Sequence, residues 1–446
     1  MNQILNELPA GGNGRTRSAQ SPKRPSGATR EDASAPHAAA RGGALGTYAN
    51  FVYKSPAAAA AEAAFDPMAA RVQRFALQSV ARQILYHPDR TQRFRIETCL
   101  RARAFDQSVN VWKSAEFGTA HYSGLQTCGS VSACPVCAAK IGERRRVEVL
   151  SAMTVHESRG GNVHLLTLTA PHQRGDVLVD LLAQQSKALK RFWMDRKVKG
   201  IMAEMGYIGQ IRAWEVTHGR KAARNNGWHP HFHILLFTGV GVDLTRFDDA
   251  QRRDWAVRLY LVWAKACEFA GLGTPSFEHG LKLDDGSKAS AYVTKWGLED
   301  ELIKGYSKKG RDGNETPFDF LRGVLADKSD KQAAALFCEF VRAFKGKNQL
   351  SWSNGLKARL AVEEVSDGEL AQRVEEEAVW LGQLTVDQWR DVLMVDGRVT
   401  VLEVAARAGW EAVTRYLDII KGAHQGVQLD RDVLAEAREI LLQWGG

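Results

Sequence analysis

Residues Trp228 to Phe237 read Trp-His-Pro-His-Phe-His-Ile-Leu-Leu-Phe, and this stretch decides how the chain folds. The aromatic and β-branched run predicts a strand over Phe232 to Thr238. Successive side chains of a strand point to opposite faces, so His231 and His233 share one face while Phe232 takes the other. Neutral imidazole is the commonest transition-metal ligand, and two on neighbouring same-face positions can share one ion. His229 has the same parity, with Pro230 beside it to disturb the strand.

The surroundings supply partners for that strand. A Gly/Asn turn region at Asn225, Asn226 and Gly227 precedes it, and Ile211 to Thr217 forms a second strand close enough for an antiparallel hairpin. On the second strand Ile211, Ala213, Glu215 and Thr217 share a face. Glu215 is therefore the candidate third ligand, with His218 as its competitor. Imidazoles joined by a carboxylate suit a divalent ion such as Mg²⁺ or Mn²⁺.

Further out, Val163 to Thr169 is an apolar strand stopped by Pro171. Leu178, Leu181, Leu182, Leu189, Phe192 and Trp193 follow as a helical stripe. Trp255, Leu259, Val262, Trp263, Ala266 and Phe269 mark one face of a second helix. A fourth strand is expected around Phe277 to Leu283, and a third helix from about Lys288. The order is strand, helix, strand, strand, helix, strand, helix. It predicts an α+β fold whose central antiparallel sheet has the split βαβ, ferredoxin/RRM-like arrangement backed by helices.

The third helix carries Ala291 to Asp300, Ala-Tyr-Val-Thr-Lys-Trp-Gly-Leu-Glu-Asp. Tyr292 and Lys295 stand three apart and so lie on one helical face. A phenol is a weak nucleophile at neutral pH, and a nearby ammonium or metal ion favours the phenolate.

The 446 residues carry a net charge of +9, unevenly spread. Residues 1–64 hold +3, 65–360 hold +15 and 361–446 hold −9. A middle that basic suits a polyanion, because each neutralised phosphate releases condensed counterions. Residues 1–64, rich in Gly, Ala, Ser, Pro and Arg, read as a disordered basic leader. Folded structure is expected from about Phe65, where Val72, Phe75, Ala76, Val80 and Ile84 fall at helical spacing. Residues 65–160 then form a helical, Cys-containing segment, 161–360 the domain that carries the histidine strand and Tyr292, and 361–446 an acidic helical accessory region. Neither a membrane span nor a secretory signal is evident, which predicts a cytoplasmic protein.

Four of the six cysteines, Cys99, Cys128, Cys134 and Cys137, precede the first strand. Cys267 and Cys338 sit in helical patterns and read as core. The Cys-Pro-Val-Cys half has metal spacing and suggests structural zinc more than a disulfide, with His121 able to replace Cys99. Lys140, Arg144, Arg145 and Arg146 follow at once as a candidate DNA-binding, phosphate-contacting helix face.

Taken together these residues resemble the rolling-circle plasmid replication initiators of the HUH endonuclease superfamily. Leu165 to Ala170 (LLTLTA) is similar to that family's first motif, His231-Phe232-His233 to its metal motif and Tyr292-x-x-Lys295 to its nucleophile motif. Cys128 to Arg146 and Leu350 to Leu360 (LSWSNGLKARL) also resemble segments of plasmid Rep proteins, so the likeness covers about residues 99–360. It implies that Tyr292 attacks a phosphodiester in single-stranded or hairpin origin DNA, leaving a 5′-phosphotyrosine link and a 3′-hydroxyl primer for host helicase and polymerase. The chain departs from the pattern at two points: Lys288 stands where some relatives have a glutamate, and Trp296 where others have a second tyrosine. Asp284, Asp285 and Glu299 are weak substitutes. A relaxase or transposase of the same superfamily is an alternative. So is a non-catalytic origin-binding regulator, for which Trp214, Trp228, Trp296 and Trp352 could supply stacking surface.

Overall fold

The computed structural model describes residues 67–115, 118–294, 313–348, 350–372, 378–427 and 429–443. The leader over residues 1–64 lies outside the described residues, as do Lys295, Trp296 and Glu299. In chain order the elements are α1 (Pro67–Ile84), β1 (Val109–Ser114), β2 (Ala120–Ser123), α2 (Pro135–Ser158), β3 (Asn162–Thr169), α3 (Leu178–Met194), α4 (Arg196–Glu204), β4 (Gly209–His218) and β5 (Trp228–Thr238). There follow α5 (Asp249–Ala270), α6 (Phe277–Gly280), β6 (Leu281–Asp284), α7 (Gly286–Thr294), α8 (Pro317–Ala326), α9 (Lys331–Ala343), β7 (Leu350–Trp352) and α10 (Leu356–Arg359). The last are α11 (Asp367–Gln372), β8 (Ala378–Leu384), α12 (Val386–Met394), α13 (Arg398–Ile419) and α14 (Arg431–Gln443).

The expected mixture of helices and antiparallel strands is what the chain forms. The larger sheet has the order β6-β3-β5-β4-β7, and every neighbouring pair in it is antiparallel. Because β5 lies between β3 and β4, the β3-helix-β4 unit is split, as the sequence order predicted. Leu178, Leu181, Leu182, Ala188, Leu189 and Phe192 are buried along α3 at steps of three and four, which is why this segment winds as a helix over the sheet. On α5 the buried stripe runs Trp255, Leu259, Val262, Trp263 and Ala266. Asp248 caps the start of that helix through Gln251 N–H, and Gly271 ends it at φ 86°. Phe269, expected on the same face, is instead 52% exposed. It lies beneath Lys187 and Arg191, whose cations stand 4.7 and 4.2 Å from its ring.

Strand parity divides the large sheet into two unlike faces. Leu166, Leu168, Trp214, Val216, Phe232, Ile234 and Leu236 pack with the α3 and α5 stripes into one core. The opposite face is apolar only at one end, where Val163, Leu165, Ile211, Leu235 and Phe237 meet Val149, Ala152 and Met153 of α2 and Ala289 and Val293 of α7. The other end of that face carries the histidines.

Pro230 does not break β5, which runs unbroken from Trp228. The β3 pairing ends at Thr169 opposite His231, so at Pro230 only β4 flanks the strand. A residue without a backbone N–H is tolerated at such a position. Gly227, at φ 74°, turns the chain into β5, and a Cβ there would press on the backbone of Gln173 and Arg174 at 2.9–3.0 Å.

Three further expectations need correction. Phe277–Gly280 is a turn of helix rather than the start of the fourth strand, with Ser276 capping it through His279 N–H, and β6 begins only at Leu281. Val72 of α1 is 41% exposed, while Ala70, Phe75, Leu77, Val80 and Ala81 form that helix's buried side. The acidic C-terminal region is not wholly helical either. Ala378–Leu384 is strand β8, which joins a smaller antiparallel sheet of order β2-β1-β8. Gly382 leaves the room that the Trp410 ring fills. This second sheet and α12–α14 enclose a separate core that includes Phe75, Val109, Val111, Leu384, Val401, Val404 and Leu417.

Candidate active site and metal centre

Three side chains converge at the polar end of the sheet. The register sets Glu215 of β4 opposite His231 and Ala213 opposite His233. One oxygen, Glu215 Oε2, lies 3.3 Å from His231 Nε2 and 3.3 Å from His233 Nε2. Their donor atoms fall within 4.8 Å of one another, a spread that one ion could bridge. Both imidazoles are held by their other nitrogen. His233 Nδ1 is 3.0 Å from Thr167 Oγ1, and His231 Nδ1 is 3.4 Å from the His229 carbonyl. Pinning Nδ1 aims Nε2 at the carboxylate, which is how outer partners commonly orient metal ligands.

Burial alone would raise the Glu215 carboxyl, but hydrogen bonds and charge from His231 and His233 outweigh it and hold the group well below the usual carboxylate range. The carboxylate therefore stays ionised at neutral pH, and 40% of its side chain remains open. Two imidazoles with one carboxylate form a donor set that fits a divalent cation such as Mg²⁺ or Mn²⁺.

Tyr292 completes the group. On α7, Ala289 and Val293 are buried against the sheet, and Tyr292, one turn from Ala289, faces the same way. Its Oη donates to Glu215 Oε1 at 2.6 Å. The Tyr292 ring lies 4.4 Å from the His233 ring. Asp285 caps α7 by accepting from Ser287 N–H at 3.0 Å and Lys288 N–H at 3.3 Å, so this carboxylate is occupied in starting the helix. Lys288 itself is exposed. Lys295, the expected partner of Tyr292, lies outside the described residues.

The remaining candidates separate. His218 has the parity of Trp214 and Val216, so it faces the opposite core. There it meets Trp228 at 4.9 Å and Phe320 at 6.0 Å. Trp214 and Trp228 are buried in that same core, leaving no stacking platform from either. Three of the four basic residues of α2 reach other chain segments and the fourth pairs within the helix, in place of the free phosphate-contacting face expected for them. Lys140 Nζ donates to the Ala371 carbonyl, Arg144 to the Leu370 carbonyl, and Arg145 to Asp367 and the Val365 carbonyl, while Arg146 pairs with Glu143. Together the first three fasten the segment around α11 onto α2. Cys99, Cys128, Cys134 and Cys137 gather into one buried group, with His121 outside it on β2. Cys267 is buried in the main core, as expected.

Two contributors were missed at the sequence level. Thr167 lies within LLTLTA, and its parity with the face of Leu165 was the available signal. His172 extends the row of rings, standing 4.6 Å from His229, which is 5.0 Å from His231. Burial first, and then the neighbouring imidazoles, push His229 down to about 3. It is thus neutral at physiological pH.

Residues 123–251 match the family model described as a replication protein, Rep_1. The chain carries a Rep replication-protein domain. With that domain goes a role in initiating replication, and with it the binding of origin DNA. The Rep match takes in Cys128, Cys134 and Cys137, α2, β3 and the whole Glu215, His231 and His233 group. A "Protein rep" from Streptomyces lividans is 28% identical over 363 aligned residues, covering 67% of this chain and 74% of that one. A "Neomycin resistance protein" from Streptomyces cyanogenus is 35% identical over 155 residues, covering 29% of this chain and 35% of that one. No solved structure matches the chain. No helix among the described residues is long and apolar enough to cross a membrane.

Proposed function

We propose that this chain nicks one strand of its origin DNA through Tyr292, in the manner of HUH endonucleases, and so supplies the primer end for rolling-circle replication. The observation that carries this reading is the 2.6 Å hydrogen bond from Tyr292 to the carboxylate that both histidines also approach. A phenol placed on a half-buried, ionised carboxylate has an acceptor for its proton at hand. The new bond joins Tyr292 Oη to phosphorus, and the bond from phosphorus to the 3′-oxygen breaks. The phenolic proton passes by way of Glu215 to solvent, and the departing 3′-oxygen takes up a proton in turn.

A divalent metal held by His231, His233 and Glu215 would polarise the scissile phosphate and offset charge on its oxygens. The row of neutral rings at His229 and His172 continues the same face and offers surface along which a single strand could lie. The free 3′-hydroxyl is the end that a host polymerase, following a host helicase, would extend. The basic middle of the chain favours the phosphate backbone by counterion release.

The test is a covalent adduct. The protein is incubated with Mn²⁺ or Mg²⁺ and single-stranded or hairpin origin oligonucleotides, then denatured and separated. An adduct lost in Tyr292→Phe while DNA binding persists supports the reading. An adduct that survives the change would place the nucleophile on another residue. Binding without adduct under any metal would favour an origin-binding regulator.

A further inference from the structure

The four clustered cysteines take no part in the chemistry proposed above. They come from three segments: Cys99 from the turn after residues 95–97, Cys128 from the loop after β2, and Cys134 and Cys137 from the start of α2. All are between 0 and 5% exposed. The sulfurs of Cys99 and Cys137 lie 3.5 Å apart, those of Cys128 and Cys137 3.6 Å, and those of Cys99 and Cys134 3.9 Å. A tetrahedral zinc with Zn–S bonds of about 2.3 Å sets its sulfurs about 3.8 Å apart. A disulfide would instead bring two sulfurs to about 2.05 Å. An iron–sulfur cluster, which places several atoms between its thiolates, would spread them further.

The environment suits a negatively charged group. Cys128 N–H donates to Cys99 Sγ at 3.4 Å, and Gln78 Nε2 donates to Cys134 Sγ at 3.3 Å. Cys134 is the N-cap of α2 and Cys137 lies in its first turn, where the helix end carries partial positive charge. Arg398 of α13 is 2% exposed and donates to Gln78 Oε1 at 3.0 Å and to the Leu100 carbonyl, next to Cys99, at 3.3 Å. Its carboxylate partner Asp396 stands 3.4 Å away and is 61% exposed. A buried guanidinium needs stronger compensation than that.

We propose that Cys99, Cys128, Cys134 and Cys137 bind one structural zinc ion as a tetrathiolate, and that Arg398, relayed through Gln78, balances its charge. Four thiolates around Zn²⁺ carry a net charge of −2, which answers the buried cation. The site ties the start of α2 to α1 and, through Arg398, to the C-terminal core. The far half of α2 packs on α7, so the zinc also steadies from a distance the helix that carries Tyr292.

Metal analysis of the purified full-length protein is expected to find one zinc per chain. Cobalt substituted for it should show the intense visible bands of a tetrahedral thiolate site. Cys134→Ser and Cys137→Ser should lose the metal, whereas Cys267→Ser, altered in the main core, should retain it. Arg398→Met should keep the ligands but release zinc to a chelator at least tenfold faster. Tyr292→Phe must bind zinc as the unaltered chain does, whatever becomes of nicking, so the two readings fail separately. Iron in place of zinc, or a metal-free native protein whose four thiols all titrate, would overturn the proposal.

Discussion

Tyr292 Oη and Glu215 Oε1 stand 2.6 Å apart, while the other oxygen of the same carboxylate stands 3.3 Å from Nε2 of both His231 and His233. The proposed nucleophile and the candidate metal group thus share one side chain. In Glu215→Gln, which preserves shape but not charge, both the proton acceptor and the anionic ligand are lost together. Adduct formation is expected to fall on the order of 10²-fold or more, with excess Mn²⁺ restoring little of it. Initial rates on an origin oligonucleotide across a Mn²⁺ titration check this. Full recovery at high Mn²⁺ would mean that Glu215 is a ligand and nothing more.

The imidazole ring of His233 is held by Thr167. Thr167→Val keeps volume and removes the hydroxyl, so metal affinity is expected to weaken roughly 10–100-fold while the fold persists. Isothermal titration with Mn²⁺, set beside the circular dichroism of the variant, separates loss of the site from loss of structure.

Phe232 points away from the site into the core, fully buried and packed 4.9 Å from Trp214. Phe232→Ala is expected to cost about 3–5 kcal/mol of stability. Trp380→Ala, at a residue 53% exposed on β8, should cost far less. Urea unfolding of the two variants gives the comparison.

Acid should weaken the fold through His164. This residue is 2% exposed on β3, stacked 5.0 Å from Phe247. Burial, and then the charge of Arg252, push it down to about 4 from its usual 6.5. The unfolded chain therefore takes up this proton first. The contribution is whole above pH 6.5, declines as the pH falls toward 4, and amounts to about 3 kcal/mol across that window. Urea midpoints at pH 7 and pH 5 should differ in the unaltered protein and differ less in His164→Leu.

Arg145 joins Asp367, Glu148 and the Val365 carbonyl. Arg145→Ala should free the segment around α11, so that limited proteolysis cuts near residues 361–372 earlier than in the unaltered chain. DNA affinity should change less than twofold. A large loss of affinity with unchanged proteolysis would return this arginine to the DNA.

The sequence made the large sheet and one face of the site legible because both follow from strand parity. His231, His233 and Glu215 needed only alternation and a hairpin register, and Phe232 and Trp214 followed from the same rule on the other face. Tyr292 was legible only beside them, since nothing in Ala291 to Thr294 alone distinguishes a nucleophile from an ordinary half-buried tyrosine. What local pattern could not reveal depended on distant segments. The Lys140 and Arg144 to Arg146 run looks free until residues 365–372 arrive to claim most of it. Similarly, Leu381 and Leu384 are three apart and suit a helix as well as a strand, and only the pairing with β1 decides between them.

That pairing has a consequence for how the protein is made. Val109 meets Leu384 across the small sheet, a separation of 275 residues. At roughly 5–20 residues per second, the ribosome delivers the second strand on the order of 15–55 s after the first. Through that interval the sheet of β3 to β6 can close on itself while β1 waits with one edge bare. A nascent or prematurely terminated chain would therefore hold the first four strands of the five-stranded sheet, already formed, beside an open, adhesive strand. Its aggregation should track the speed of translation through residues 115–378.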